Sequence, residues 1–534
     1  MIQEDLLKTL ADEKQVSDGE FQVLSLAMKG ESTPTIAAKV EISEDLVRKR
    51  LSDIYKKFDI PGRGPVKLAK LQQHLLALSR GQLPDSSSLD IEGEPRRDWG
   101  EAPDVSIFYG RSEQLDTLAG WVLNDHCRLV AICGMGGIGK TTLAIKLAKQ
   151  IQDQFDGVIW RSLRDAPPAR ELLADLIKFF APGVSPPYET DDRISRLMDA
   201  LKAKRCLIVL DSAQAILKSG DLAGHYSDSY QDYGNFIKRV ATESHQSCLV
   251  ITSLEQIDDI ALLQGETMPV RVMELRELDE EQAWEIFRAK GLSEPEQWVE
   301  LTNLYRGNPL ALKIVATTIK ELFGGNVSEF LKQKTFVFGN IRDLLEFQFE
   351  RLYKFEKEIL YWLAIERQPV TFFTLQEDIE LSEHQDELLE ALESLGRRNL
   401  IEKMTETGSA RFSLQPMVLE YVTNQLVVQA GNEIMEAVKT QDAEKLHLLR
   451  SHNLVKGALG VSGSGSPLEN PILQPINDRL CKAFRSQKKV EERYNRLLSW
   501  LGDRSLFEIG YAADNIQSLI EALPPDPAGN SLAS

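Results

Sequence analysis

The stretch Gly134-Met135-Gly136-Gly137-Ile138-Gly139-Lys140-Thr141-Thr142 decides the fold of this chain. It matches the P-loop pattern G-x-x-x-x-G-K-[ST], in which glycines let backbone N–H groups approach phosphate oxygens. The apolar run 129–133 before it is typical of a buried parallel strand, and residues 143–151 after it are apolar at helical spacing. Strand, glycine-rich loop and helix therefore follow in the order that a nucleotide site at a helix N-terminus requires.

The chemistry of a P-loop assigns a role to several of these side chains. Lys140 is expected to reach the β- and γ-phosphates of ATP, and Thr141 to offer its hydroxyl to Mg²⁺. Asp211 follows the apolar run 206–210, at the carboxyl end of a predicted strand, where P-loop proteins hold Mg²⁺. We therefore predict Lys140 and Asp211 as catalytic residues, Thr141 and Asp211 as metal ligands, and ATP or ADP with Mg²⁺ as the cofactors.

The residues around Asp211 predict slow hydrolysis. Ser212 stands where many P-loop ATPases carry a second carboxylate, and a serine is no comparable base near neutral pH. Asp165 or Glu255 remain alternatives for the base. Thr252, at the end of the predicted strand 248–252, is expected at the γ-phosphate or the attacking water, with a polar strand end at the surface as the alternative.

Composition limits the classes of protein that this chain can represent. The 534 residues, 43% of them hydrophobic, predict several globular domains, and the net charge of −19 argues against general coating of nucleic acid. The N-terminus lacks a signal-peptide pattern, and no apolar run is long enough to span a bilayer, so a cytoplasmic location is expected. The cysteines show no metal-binding spacing and are predicted to be buried thiols in a reducing compartment: Cys127, Cys133, Cys206, Cys248 and Cys481.

The pattern along the chain predicts an α/β region followed by helices. From about residue 105 to 265, strand-like runs alternate with helical ones, which is typical of a doubly wound sheet. Predicted strands are 128–133, 157–161, 206–210 and 248–252. Beyond residue 275 the pattern is mostly helical, with a β-hairpin predicted near residues 400–413.

Together these elements resemble the NB-ARC class of STAND ATPases over roughly residues 105–430. Phe108-Tyr109-Gly110-Arg111 resembles the family's entry motif, whose backbone contacts adenine. Residues 155–161 resemble its second strand. Gly307-Asn308-Pro309-Leu310-Ala311-Leu312 resembles the GxP motif of the helical lid, which implies that Pro309 packs on the adenine.

Two positions depart from the family pattern. The phosphate-sensing strand of the family ends in an arginine where this chain has Leu254, which leaves Arg161 or Arg164 as replacements. The winged-helix element that presents a histidine to the β-phosphate of ADP aligns with Gln415, which can still donate a hydrogen bond but carries no charge. Both hydrolysis and the ADP-locked state are therefore open, whereas nucleotide binding is expected.

Residues 18–72 resemble a LuxR-type helix-turn-helix. Helices are predicted at 18–29, 33–40 and 44–58, with Ser43 as the N-cap of the third, recognition helix. A basic face on that helix suits a DNA major groove, although Glu44, Asp45 and Asp53 dilute it and protein interaction is the alternative. The predicted DNA contacts are Arg48, Lys49, Arg50 and Lys56.

The resemblances imply a multidomain α/β plus α protein. Its parts are a helix-turn-helix effector bundle at 1–80, a linker at 81–104, a doubly wound P-loop NTPase sheet at 105–270, a helical lid at 271–335, a winged helix at 336–430, and C-terminal helices and tail at 431–534. The implied nucleotide-binding residues are Gly110, Arg111, Gly134, Gly136, Gly137, Ile138, Gly139, Lys140, Thr141, Thr142, Thr252, Pro309 and Gln415.

The function implied is an ADP/ATP-binding signalling switch in which nucleotide exchange opens the molecule for self-association and clusters the effector units. Two alternatives stay open: a DNA-binding regulator with a mainly structural nucleotide, and a turnover ATPase. Expected partners are an adenine nucleotide, duplex DNA, further copies in the ATP state and a separate sensor protein. The usual C-terminal repeat sensor does not follow in the sequence, which leaves three alternatives: the sensor is absent, it is another polypeptide, or the chain is a truncated form. Residues 61–71 and 98–105 resemble segments of cyanobacterial NB-ARC proteins.

Overall fold

The chain folds into two compact units, Met1–Glu94 and Pro95–Ser534, in a computed structural model. The structure describes residues 8, 14, 16–28, 33–40, 42–58, 71, 95–106, 108–333, 335–379, 384–406, 409–456, 470–502 and 505–523.

The N-terminal unit contains three helices: α1 Asp18–Met28, α2 Thr33–Val40 and α3 Glu44–Lys57. Their bounds confirm the predicted helices to within a residue. The N–H of Leu46 donates to Ser43 Oγ at 3.3 Å, which confirms Ser43 as the cap of α3. Val47 and Ile54 of α3 are fully buried, whereas Leu46 is 37% exposed. The helix therefore packs through a narrow apolar stripe.

A parallel sheet forms the centre of the second unit. In the described residues it has the order β1-β3-β4-β5-β2-β6. Its strands are β1 Arg96–Asp98, β2 Leu129–Cys133, β3 Gly157–Ser162, β4 Cys206–Asp211, β5 Cys248–Ser253 and β6 Val270–Glu274. Every pairing in this sheet is parallel. Strand β5 lies between β2 and β4, so the strand that ends at Thr252 and Ser253 separates the P-loop from Asp211.

Helices cover both faces of the sheet, as expected for a doubly wound fold. They are α4 Ser112–Leu123, α5 Lys140–Ile151, α6 Ala169–Phe180, α7 Thr190–Ala203, α8 Gln231–Thr242 and α9 Asp258–Leu263. One apolar cluster joins one face of the strands to α6, α7 and α8, and a second joins the other face to α4 and α5. Strands β2, β4 and β5 are buried throughout, since they are covered on both sides.

Two strands of this sheet were not among the predicted ones. Strand β1 lies inside the stretch predicted as the linker 81–104, and it pairs with Gly157–Ile159 of β3. Its polar sequence Arg-Arg-Asp carries no apolar alternation, and Arg161 Nη2 holds Asp98 Oδ2 at 2.6 Å. Strand β6 pairs with β2 at the other edge. A short edge strand forms because it pairs with a neighbouring strand, and its own residue pattern does not predict it.

A second group of elements packs beyond the sheet. A helical segment comprises α10 Glu280–Lys290, α11 Trp298–Leu304, α12 Pro309–Leu322 and α13 Val327–Leu331. A hairpin domain comprises α14 Gly339–Glu350, α15 Lys354–Glu366, β7 Val370–Thr371, α16 Phe372–Asp378, α17 Leu388–Arg397, β8 Glu402–Glu406, β9 Ser409–Ser413 and α18 Pro416–Thr440. Antiparallel β8 and β9 confirm the hairpin predicted near residues 400–413.

The last described helices are α19 His447–Ser451, α20 Leu473–Phe484, α21 Gln487–Leu501, α22 Leu506–Ile509 and α23 Ala512–Glu521. They share one continuous apolar cluster with the helical segment and the hairpin domain, and Met135 of the P-loop belongs to the same cluster. Four of the cysteines are buried and Cys481 is partly buried. No helix in the part of the chain that the structure describes is both long and apolar enough to cross a bilayer.

A buried histidine joins the last helices to the hairpin domain and makes the stability of the protein depend on pH. His452 is fully buried and stacks on Trp362 with ring centroids 4.9 Å apart. Its Nε2 lies 3.0 Å from the carbonyl oxygen of Glu358. Desolvation lowers the pKa of His452 from 6.5 to about 4. Between these values the unfolded chain binds the proton and the folded chain does not, so the contribution is lost as pH falls through this window.

We expect the parent to lose up to about 3 kcal/mol of unfolding free energy relative to His452→Gln between pH 7.5 and pH 4. Urea denaturation of both proteins across this range measures the difference, and the comparison removes contributions from other titrating groups. A difference that does not change with pH would contradict a neutral, buried His452.

Candidate nucleotide cleft

The P-loop backbone adopts a shape that only glycine permits at two points. Gly134 has φ 153°, and a Cβ at this position would lie 2.6 Å from the carbonyl oxygen of Leu275. Gly139 has φ 103° and precedes the first residue of α5. The loop runs directly into the N-terminus of α5, where the helix dipole favours an anion. This cradle fits the phosphates of a nucleotide.

Lys140 is the buried cation of this cradle. Its Nζ donates to the carbonyl oxygens of Gly134 and Met135 at 2.7 and 2.9 Å. Desolvation lowers the pKa of Lys140 to about 8, while the nearby Cys133 and Asp211 act in the opposite direction. Carbonyl oxygens are weaker partners for an ammonium than phosphate oxygens are, so this side chain can exchange them for a phosphate.

Asp211 gathers three hydroxyl groups around its carboxylate. Thr141 Oγ1 and Thr252 Oγ1 each donate to Asp211 Oδ1 at 2.6 Å, and Ser212 Oγ donates to Asp211 Oδ2 at 3.2 Å. The N–H of Ser212 donates to Thr252 Oγ1 at 3.0 Å. Thr141 and Asp211 thus present adjacent hard oxygen ligands, a set that fits Mg²⁺. Thr252 orients this carboxylate from the end of β5, and its expected contact with the γ-phosphate or the attacking water stays a prediction.

A cleft of about 360 Å³ opens beside the P-loop. The P-loop, the segment before α4, the loop after β3 and the start of α12 supply its walls. The lining residues are Phe108, Tyr109, Arg111, Gly137, Ile138, Gly139, Lys140, Thr141, Thr142, Arg164, Leu278, Pro309, Leu310 and Lys313. The structure therefore brings Arg111 and Pro309 to the P-loop, as the motif order predicted. Gly110, Gly134 and Gly136 shape the surrounding backbone but do not line the cleft.

Arg111 fastens the segment before α4 to the P-loop. It is 5% exposed, and its guanidinium donates to the carbonyl oxygens of Glu277 and Ile138 at 3.2 and 3.3 Å. Burial lowers the pKa of Arg111 to about 10, opposed by the nearby carboxylates of Glu277 and Asp279. Its side chain is thus committed to the protein, which leaves the backbone of this segment to face the cleft.

The start of α12 binds the P-loop directly. Asn308 Nδ2 donates to the carbonyl oxygen of Gly136 at 2.9 Å. The N–H of Leu310 donates to the carbonyl oxygen of Gly137 at 3.2 Å. Asn308 also caps α12 through its Oδ1. The position of Asn308 just before Pro309 signals an N-cap, but its contact with the P-loop required the tertiary structure. Lys313 Nζ lies 5.5 Å from the ring centroid of Tyr109, so this helix also supplies a cation to the cleft wall.

The hairpin domain reaches the P-loop through a glutamine other than the predicted one. Gln415 Nε2 donates to Glu277 Oε1 at 3.0 Å and lines a separate cavity of about 530 Å³. Gln348 of α14, 5% exposed, accepts the N–H of Gly136 at 3.2 Å. Met135 and Ile138 of the P-loop line the same cavity as Gln415, and the contact of Gln415 with a phosphate stays a prediction.

The structure shows where the alternative residues lie: Asp165 and Glu255 for the catalytic base, and Arg161 and Arg164 for the phosphate-sensing arginine. Glu255 is 1% exposed and forms ion pairs with Arg351 and with Arg398 in the hairpin domain, the latter at 2.5 Å. Neither Glu255 nor Asp165 lines the cleft. Arg161 is paired with Asp98 and Asp175, whereas Arg164 lines the cleft, as described above.

The basic residues predicted to contact DNA lie in the N-terminal unit. They differ in whether their side chains are exposed or contact the protein. Lys49 is exposed. Arg50 Nη1 donates to the carbonyl oxygen of Gly19 at 3.0 Å, so it ties α3 to α1. Lys57 has the same effect through Glu20 at 2.6 Å. The side chains of Arg48 and Lys56 lie outside the described residues.

Comparison with known proteins agrees with the geometry of the cleft. Residues 111–297 match the family described as the NB-ARC domain. The chain is 42% identical over 480 residues to an uncharacterized WD repeat-containing protein of Nostoc sp., a match that covers 82% of this chain and 37% of that protein. It is 27% identical over 272 residues to a disease resistance-like protein of Arabidopsis thaliana, covering 48% of this chain and 20% of that protein.

The chain thus spans well under half the length of these relatives. Among solved structures, the Walker-type ATPase of Pyrococcus abyssi aligns with a TM-score of 0.42 at 14% identity, over 62% of this chain and 99% of that one. Residues 111–297, the part of the chain that matches the NB-ARC domain, contain the P-loop and Asp211.

Replacement of Lys140 by methionine should weaken the binding of both ADP and ATP by at least about 100-fold, because phosphate oxygens lose their buried cation. Lys149→Met on the same helix is the matched control, since Lys149 lies over the Trp99 ring and not in the cleft. Titration with a fluorescent nucleotide measures both. Equal affinities for the parent and Lys140→Met would refute the assigned role.

Proposed function

We propose that this chain is an ADP/ATP-binding signalling switch of the NB-ARC/STAND type, in which nucleotide exchange opens the molecule for self-association. The observation that carries the proposal is that two further parts of the folded unit bind the backbone of Gly136. Asn308 of the helical segment contacts its carbonyl oxygen and Gln348 of the hairpin domain contacts its N–H. A change of P-loop shape on nucleotide exchange therefore alters both contacts directly.

In this proposal the helical segment acts as the lid and the hairpin domain as a winged helix. Their arrangement supports a closed state that is held by charge as well as by apolar packing. Glu255, in the loop after β5, pairs with Arg351 and Arg398, and Arg398 also contacts Glu356 at 3.2 Å. Removal of one partner from such a buried network leaves uncompensated charge and costs about 3–5 kcal/mol. Because the network is either formed or broken, the closed state and an open state would be two distinct conformations, as a switch requires.

The composition of the cleft favours a switch over a turnover enzyme. None of the described residues that line it is an aspartate or a glutamate, and Ser212 follows Asp211. The second carboxylate that would act as a base beside Asp211 is thus replaced by Ser212, which fits slow hydrolysis. Adenine is the base proposed for the cleft, from the likeness of the segment before α4 and of the Pro309 motif to the NB-ARC pattern.

The N-terminal unit is proposed as the effector that self-association clusters. Its three helices and capped α3 support a helix-turn-helix of LuxR type. Because Arg50 is tied to Gly19, any contact with duplex DNA falls to Arg48, Lys49 and Lys56. The relative from Nostoc sp. is named for WD repeats, and a repeat sensor is proposed as the source of the activating signal.

Mass measurement under defined nucleotides tests the switch. The parent should carry ADP and remain a monomer, and it should form a larger species with Mg²⁺ and a non-hydrolysable ATP analogue. Glu255→Gln should need at least about 10-fold less analogue for the same transition, because it removes the charge that holds the closed state. Light scattering coupled to size-exclusion chromatography measures the transition.

Glu402→Gln serves as the control for this variant. Glu402 also forms an ion pair across to the helical segment, with Arg306, but that pair is partly exposed and contributes little. A parent that stays monomeric with both nucleotides would remove the switch. A Glu255→Gln transition identical to that of Glu402→Gln would remove the role of the buried network.

Binding to duplex DNA should depend on Lys49 and Arg48 and decline steeply with salt, since phosphate contacts release counterions. We expect the double change Arg48→Ala, Lys49→Ala to weaken binding at least about 10-fold and to lower the salt slope by about two. Lys8→Ala is the control, an exposed lysine of the same unit outside α3. Fluorescence anisotropy at several salt concentrations measures this, and salt-independent binding would favour a protein-interaction role.

A further inference from the structure

One arginine of the cleft is not committed to any contact within the described protein. Arg164 lines the cleft with the P-loop residues and is exposed. No ion pair or side-chain hydrogen bond joins its guanidinium to the part of the chain that the structure describes. Arg111, the other arginine of the lining, donates hydrogen bonds to the carbonyl oxygens of Glu277 and Ile138. Arg164 is thus the guanidinium that this cleft leaves available to a ligand.

The loop after β3 places Arg164 beside the metal ligand Asp211. The N–H of Leu163 donates to the carbonyl oxygen of Asp211 at 2.7 Å, so the next residue starts at the level of the Asp211 carboxylate. Mg²⁺ in P-loop proteins bridges the β- and γ-phosphates. The Arg164 side chain therefore starts on the Asp211 side of the cleft, whereas Pro309 lines the cleft at the start of α12.

The same loop is held firmly on both sides of Arg164. Leu163 is 1% exposed, and the N–H of Ala166 donates to its carbonyl oxygen at 2.8 Å, which closes a tight turn. The N–H of Arg164 donates to Ser162 Oγ at 3.2 Å. Tyr230 holds the far side through a hydrogen bond to the carbonyl oxygen of Ala166 at 2.9 Å. A fixed backbone lowers the entropy lost when a long side chain binds a ligand.

The strand that separates the P-loop from Asp211 offers no competing cation. Its end continues into Leu254, whose N–H donates to Gln214 Oε1 at 3.3 Å, and then into Glu255, which the hairpin domain holds. An arginine at the level of Asp211 is therefore supplied by the loop after β3 and not by the loop after β5.

We infer that Arg164 is the residue that distinguishes a triphosphate from a diphosphate in this cleft, by donating two parallel N–H groups to the γ-phosphate. The planar guanidinium matches two phosphate oxygens, a geometry that a lysine ammonium lacks. ADP has no γ-phosphate, so it binds without this contact. The inference rests on the proposed function, and it assigns the recognition of the ATP state to a single side chain.

Calorimetric titration of the full chain with Mg²⁺ and either ADP or the non-hydrolysable analogue AMP-PNP tests this. Arg164→Gln should weaken AMP-PNP binding by about 10- to 100-fold and leave ADP binding within about 2-fold of the parent. Arg164→Lys, which keeps the charge but not the fork, should fall between. Arg196→Gln is the matched control, a partly exposed arginine of α7 outside the cleft.

The outcomes separate this inference from the proposed function. A parent that binds neither nucleotide overturns the proposed function itself. A parent that binds both, with Arg164→Gln weakened equally for ADP and AMP-PNP or for neither, overturns the role of Arg164 and leaves the switch standing. Selective loss of AMP-PNP, with Arg196→Gln unchanged, supports the inference.

Discussion

The backbone of Gly136 is the constraint on which the arrangement of the second unit depends. Its carbonyl oxygen is bound by Asn308 and its N–H by Gln348, so two separate structural parts meet at one residue of the P-loop. A Cβ on this residue would lie 2.7 Å from Leu344 Cδ1 of α14. A side chain at this position would force the Leu344 side chain of α14 to move. The loop that cradles phosphate is therefore also the surface against which the rest of the unit is packed.

Two buried charges act in different ways on this arrangement. Lys140 contacts backbone carbonyl oxygens, which are weak partners that a phosphate can replace. Glu255 is paired with two arginines of the hairpin domain and does not line the cleft. The weak contacts of Lys140 make the P-loop sensitive to its ligand. The ion pairs of Glu255 oppose separation of the hairpin domain from the sheet. A bistable molecule needs both, because a ligand can shift only a state that is already within a few kcal/mol.

Much of this site could be predicted because its signals are local. The P-loop glycines, Lys140 and Thr141 are adjacent in sequence, and Asp211 ends a run so apolar that its strand is evident. Strand β1 was missed, since Arg-Arg-Asp becomes a strand only by pairing with β3. Gln415 was assigned to a phosphate from the family resemblance, and that contact stays a prediction, while in the structure its amide donates to Glu277. Which glutamine faces the P-loop depends on how α14 packs, and no local pattern records this.

The sequence by itself determined the chemistry: a phosphate cradle, a cation for it, hard oxygen ligands for Mg²⁺, and an α/β sheet to hold them. These follow from residue type and spacing along a few consecutive positions. The tertiary structure decided the assignment of roles among distant residues. It placed Thr252 behind Asp211, Glu255 between two arginines and Arg164 at the open side of the cleft. Strand order and helix packing join residues that are far apart in sequence, so these roles emerge only when the chain is folded.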